Sequence, residues 1–252
     1  MSNNLIGYLE SQMQALKLKG MLAHYREITE KASQNNLSYT EYLSVLFEEE
    51  LKRKNDGTVK TKINKARFPY IKTLEEFDFG FQPSLREKEI IALSSLEFIE
   101  KKENVIFLGP PGVGKTHLSV ALGIKACMAK YRVVFITAQK LLEELMLSAR
   151  DGSLADKLLG YSRLNLLIID ELGYMPVSKE QANLLFCLVS IRYEKGSIIL
   201  TSNYNFDEWG EVFQDHAAAA AIIDRLVHHA RIFYINGTSY RLKGKLKTAN
   251  NR

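Results

Sequence analysis

Apolar residues recur at three- and four-residue spacings early in the chain, at Leu9, Met13 and Leu16 and again at Leu22, Tyr25 and Ile28. This is the period of helices that bury one face. Ser38 and Glu41 form a capping box ahead of "YLSVLFEEELKRK", whose expected apolar side is Tyr42, Leu43, Leu46, Phe47 and Leu51. The pattern predicts a small helical domain over residues 1–58. It breaks at "NDG", "RFPY" and "EFDFGFQP", which predicts a linker over residues 59–83, basic at first and aromatic afterwards. A second capping box, Ser84 and Glu87, opens a helix expected to run to about Glu100. Five short apolar runs follow, "NVIFLG", "RVVFIT", "NLLIID", "SIILTSN" and "RIFYIN", each separated by room for a crossover helix. Strands apolar on both faces and alternating with helices predict an α/β domain over residues 84–252, with a five-stranded parallel sheet between helices.

Composition adds limits. A 46% hydrophobic share in 252 residues is enough for a full core. No run approaches the roughly 20 apolar residues that span a bilayer, and the N-terminus lacks an apolar signal core. A soluble, cytoplasmic protein is expected. Cys127 and Cys187 are too few for a disulfide framework or a Cys-ligated zinc site, and both sit in apolar helical patterns as expected core filler. The net charge of +5 conceals a segregation: residues 52–72 carry +7 and residues 241–252 carry +5, leaving the rest of the chain at −7. Segregated positive charge suits a polyanion partner, and a solvated linker and tail would carry the same charges.

The chemistry concentrates behind three of the apolar runs. "GPPGVGKT" comprises Gly109, Pro110, Pro111, Gly112, Val113, Gly114, Lys115 and Thr116, with His117 next, and it lies between an expected strand and an expected helix. Glycines let backbone N–H groups turn inward around phosphate oxygens, and the helix N-terminus adds its positive end. Lys115 reaches the β- and γ-phosphates while the Thr116 hydroxyl coordinates Mg²⁺. "LLIIDE" ends in Asp170, placed for the Mg²⁺ shell, and Glu171, placed to polarise a water for in-line attack. "IILTSN" ends in Thr201, Ser202 and Asn203, where ligands gather in parallel sheets. Asn203 is either a hydrogen-bond partner of the attacking water or γ-phosphate, or the start of the turn "NYNF".

Taken in order, "GPPGVGKTHLSVALG", "LLIIDELGY", "IILTSNYNFDEW" and "AAIIDRLVHHA" resemble the AAA+ ATPases of the IstB type, helpers encoded beside the transposase in bacterial insertion sequences. The DnaC-like helicase loaders are close relatives of that family. The resemblance covers nearly the whole chain, including "LKLKGMLAHYRE", "SYTEYLSVLFEEE" and "GTSYRLKGK". It implies that Asn203 is a sensor residue and that Arg225 is an arginine finger reaching a neighbouring subunit's γ-phosphate. It further implies ATP and Mg²⁺ as cofactors, a homo-oligomer with sites at subunit interfaces, double-stranded DNA bound with little sequence preference, and a cognate transposase as partner. A helicase loader, or a nucleotide-gated DNA clamp with little hydrolysis of its own, remains an alternative.

The chain departs from many AAA+ proteins in one respect. Only about 20 residues follow "RIFYI", so no helical lid carrying a second arginine sensor is expected. Arg241 is either its substitute or a basic residue of a solvated tail. Lys60, Lys62, Lys65 and Arg67, on the expected flexible linker, are the candidate DNA contacts. Phe77, Phe79 and Phe81 either close over the adenine or pack locally. Trp209 is expected to pack a short helix, and the adjacent His228 and His229 to point apart. The alanine run Ala217 to Ala221 predicts a helix placing Ala218, Ala221 and Ile222 beside Arg225, a face small enough for another subunit to approach.

Overall fold

The computed structural model describes residues 2–243, so the basic stretch expected at the C-terminus lies outside the described residues from position 244 onward. The chain forms two compact units, one ending at Thr61 and one beginning at Lys62.

The first unit holds helices α1 (Ser2–Ala15) and α2 (Lys19–Gln34) and most of α3 (Tyr39–Ala66). Met13, Met21, Tyr25, Ile28 and Leu46 make its core. A Cβ on Gly20 would strike the backbone of Glu49 and Glu50, so the first turn of α2 meets α3 where only glycine fits. The buried Glu50 carboxylate accepts the Gly20 and Met21 amides at 2.6 and 3.1 Å, placing an anion on the positive end of α2. At the start of α3, Glu41 accepts the Ser38 amide at 2.8 Å while Ser38 Oγ accepts the Glu41 amide at 3.3 Å, closing the expected capping box.

Two expectations for α3 fail. Leu43, Phe47 and Leu51 are exposed, because at 100° per residue they form a stripe of their own beside the face of Leu46. The helix also continues through Asn55 and Gly57, where a break is predicted, and spans 28 residues. A mid-helix glycine costs only about 1 kcal/mol, and the Thr58 and Thr61 hydroxyls bond back to the Lys54 and Gly57 carbonyls.

In the second unit the five apolar runs form β1 (Asn104–Leu108), β2 (Val133–Thr137), β3 (Leu166–Leu172), β4 (Ser197–Ser202) and β5 (Ala230–Tyr234). All pair in parallel in the order β2-β3-β4-β1-β5. Between them lie α4 (Glu87–Ala92) and α5 (Glu97–Glu100) before β1, α6 (Lys115–Met128), α7 (Ala138–Arg150), α8 (Leu154–Ser162), α9 (Lys179–Arg192), α10 (Trp209–Val212) and α11 (His216–Val227). Alternate residues divide between two cores: Ile106 and Leu108 pack on the side of α7, α9 and α11, Val105 and Phe107 on the side of α6. Trp209 is 1% exposed, packed on Phe206 and Phe213. No described helix is long and apolar enough to cross a membrane.

The helix expected from Ser84 to Glu100 is split in two, because Leu96 adopts a left-handed conformation between α4 and α5. Ser84 caps nothing there; its Oγ accepts the Asn236 amide at 3.0 Å. Cys127 is buried as expected, and burial pushes its thiol up to about 11. Cys187 is exposed on the outer side of α9.

Candidate active site

The C-terminal ends of β1, β3 and β4 meet around one cavity of about 270 Å³. Gly109, Gly112 and Gly114 all have positive φ between β1 and α6, at 146°, 84° and 104°. A Cβ at these positions would enter the Ile235 carbonyl, the Ser239 side chain and the Phe77 ring. The loop is thus pressed from two sides, by the segment after β5 and by the segment before α4. Pro110 and Pro111 are exposed at its tip and Val113 is buried beneath it.

Lys115, at the first position of α6, is 6% exposed. Its ammonium donates to the Gly109 and Pro110 carbonyls and, at 2.7 Å, to Asn203 Oδ1. Burial pushes its pKa down to about 8 against the pull of Asp170 and Glu171. Asn203 follows β4, which lies between β1 and β3, and the register therefore delivers its amide oxygen to Lys115, the lysine of the phosphate-binding loop (P-loop) at residues 109–116. Thr116 Oγ1 stands 3.0 Å from both Asp170 oxygens. Asp170 is 3% exposed, and burial raises its pKa against hydrogen bonds from Thr201 and Thr116. A hydroxyl facing a carboxylate supplies the hard oxygen donors that suit Mg²⁺. The positive-φ glycines and a buried ammonium likewise suit a phosphate chain.

Glu171 is exposed, lines the cavity, and sits at φ 62°. His117 donates through Nε2 to the Thr73 carbonyl at 2.7 Å, and burial lowers its pKa. Its ring and that of Phe77 meet edge to face at 5.3 Å. Arg241 also lines the cavity. Phe77 packs on Phe79, and Phe81 on Tyr240.

Sequence reasoning missed several wall residues, among them Tyr70, Lys72, Asp78, Gln82, Tyr174 and Tyr240. Tyr174 closes the stretch "LLIIDELGY", and the others come from the segments before α4 and after β5, where sequence reasoning assigns them no role. Gln82 is 2% exposed and donates to the Thr238 carbonyl, and Lys243 pairs with Asp78, so the two flanking segments bind each other.

Other candidates are not among the residues that line this cavity. Arg225 does not line it; its guanidinium stacks 4.3 Å over Phe186 of α9, and Nη1 donates to the Ala221 carbonyl at 3.4 Å. Ile222, expected on the Arg225 face, is fully buried with Ala219 and Leu226, and the open alanines are Ala217 and Ala220. Lys60, Lys62 and Lys65 stand on α3 and not on a flexible linker, since the helix reaches Ala66. Arg67 follows at φ 62° with Glu144 at 3.8 Å. His228 and His229 do not point apart: α11 ends at Val227, and their ring centres lie 4.1 Å from each other. With Glu194 they bring three ligand-type atoms within 4.8 Å, all on exposed side chains.

Comparison with known proteins bears on the fold and the family. The structure of AMPPCP-bound DnaA from Aquifex aeolicus superposes with a TM-score of 0.57 at 24% identity, over 73% of this chain and 57% of that one. DnaI superposes with a TM-score of 0.53 at 22% identity, over 65% of this chain and 90% of that one. Both likenesses concern the fold, a parallel sheet between helices. The ATP-binding protein of insertion sequence IS21 from Pseudomonas aeruginosa is 45% identical over 239 residues, 95% of this chain and 90% of that protein. Its counterpart from IS5376 of Geobacillus stearothermophilus is 44% identical over 230 residues, 91% of this chain and 92% of that protein. The model of the IstB-like ATP binding protein family matches residues 11–248, and the chain belongs to that family.

Proposed function

We propose that the protein hydrolyses ATP while assembled as a homo-oligomer on double-stranded DNA, where it remodels and selects target DNA and recruits its transposase, hydrolysis driving release. The observation that carries this reading is the convergence of Lys115, Thr116, Asp170, Glu171 and Asn203 from three strand ends. The P-loop amides and Lys115 hold the phosphates, and Thr116 with Asp170 holds Mg²⁺. When bound, Mg²⁺ neutralises charge on the β- and γ-phosphate oxygens. Glu171 accepts the proton of the attacking water, and Asn203 reports the γ-phosphate to the lysine it already touches. Arg241 acts as the second sensor from the cavity wall. Arg225, set apart from its own chain's cavity, serves a neighbour's.

Lys60, Lys62, Lys65 and Arg67 contact DNA phosphates, which makes binding salt-dependent and largely indifferent to sequence. Support for the insertion-sequence role comes from the family and from relatives named for insertion sequences IS21 and IS5376. Size-exclusion chromatography with duplex DNA and ATP or ADP, with and without the transposase, tests the reading. A DNA-bound oligomer should form with ATP, persist in Glu171→Gln, and fall apart when transposase triggers hydrolysis in the parent. A chain that stays monomeric on DNA with ATP and Mg²⁺ sinks it.

A further inference from the structure

Between β3 and β4 the ladder is regular up to the pair Ile169–Leu200 and resumes at Leu172–Ser202. Two residues, Asp170 and Glu171, therefore stand opposite one, Thr201. This is a β-bulge, a device that re-aims side chains. In a regular strand, neighbours face opposite sides of the sheet. Here Asp170 meets Thr116, and Glu171, held at φ 62°, lines the cavity that Thr116 also lines.

Thr201 is fully buried at the centre of this bulge. Its hydroxyl accepts the Glu171 amide at 2.8 Å and donates to Asp170 Oδ1 at 2.6 Å. The direction is forced, because an amide N–H can only donate and the hydroxyl has one proton to give. One oxygen atom thus replaces the ladder bond that the bulge removes and orients the neighbouring carboxylate.

The geometry points to Thr201 as the positioning residue of this site: its hydroxyl sets the metal-side carboxylate of Asp170 and the bulged peptide of Glu171 in a single register, so that both serve one nucleotide. The inference rests on the ATPase reading above and deepens it. Valine at this position keeps the shape, strips Asp170 of a donor and leaves the Glu171 amide without its acceptor. Serine keeps the hydroxyl.

The test compares the full chain with Thr201→Val and Thr201→Ser. Two quantities are measured: kcat and KM for ATP on DNA, and the Mg²⁺ concentration that half-saturates binding of a fluorescent non-hydrolysable ATP analogue. Valine is expected to lower kcat on the order of 10–100-fold at little changed KM and to raise the Mg²⁺ requirement about tenfold, with serine restoring both. Parental values in Thr201→Val, or equal damage in the valine and serine variants, would overturn the role of the hydroxyl. Should the parent show no hydrolysis under any condition, the ATPase reading falls, and the Mg²⁺ titration still decides for or against Thr201. If Thr201→Val lacks a cooperative melt, Thr201→Cys, a weak hydrogen-bonding group of serine's size, carries the same comparison.

Discussion

Lys115 and Arg225 are both helix cations in the second unit, and their surroundings differ sharply. Lys115 is buried, with three oxygens of its own chain around its ammonium. Arg225 is half-buried, stacked on an aromatic ring and bonded at 3.4 Å to its own helix, with the exposed Ala217 and Ala220 on the same helix. The first cation is positioned before any partner arrives. The second rests its guanidinium on the Phe186 ring, and what else it reaches depends on what comes against α11. In the proposed reaction the chain therefore carries one complete half of an active site and offers the other half to a neighbour.

This contrast can be broken by separating binding from turnover. Arg225→Ala should lower assembly-dependent hydrolysis on the order of 10³-fold while leaving ATP affinity of the isolated chain unchanged by equilibrium titration. Lost affinity in that chain would instead give Arg225 a structural role. Lys115→Ala should do the opposite, weakening ATP binding by about 100-fold in the isolated chain, since charge-assisted phosphate contacts are lost.

A pH titration sharpens the same contrast. Burial lowers the Lys115 pKa to about 8, so the free chain holds the charged form below that value and loses it above. ATP affinity measured by fluorescence should be level below pH 8 and fall by up to about tenfold per unit above it. A flat profile to pH 10 would show that Lys115 keeps its charge over that range or takes no part in phosphate binding. The smallest effect is expected on the outer side of α11. Ala220→Ser should shift stability by less than about 0.5 kcal/mol in a thermal melt, and a larger loss would show that this side is covered within the subunit.

Much of the second unit is legible in the residues themselves. The apolar runs of β1, β3 and β4 specify strands buried on both faces, while the run of β5, with Arg231 inside it, gives a half-buried strand, and the phosphate loop has a recognisable local spacing. What escapes is long-range. Nothing in "TSN" says that Thr201 faces two residues of β3, because a bulge arises from pairing and not from local propensity. Tyr70, Gln82 and Tyr240 reach the cavity only because the segments before α4 and after β5 close on the P-loop glycines. The capping box at Ser84 fails for the same reason: a tertiary partner, the Asn236 amide, takes the hydroxyl. The apolar side of α3 is misjudged because the repeat alone does not say which stripe meets the rest of the bundle.

The central claim is that one chain's cavity is completed by another chain's Arg225. Mixing Arg225→Ala chains with Lys115→Ala chains on DNA tests it most directly. One variant keeps an intact phosphate loop and lacks the finger, the other keeps the finger and lacks the loop lysine, and neither should hydrolyse ATP alone. The account predicts that phosphate release reappears on mixing, at sites pairing an intact loop with an intact finger. A mixture as inactive as its two components, under conditions where both still assemble, would contradict it.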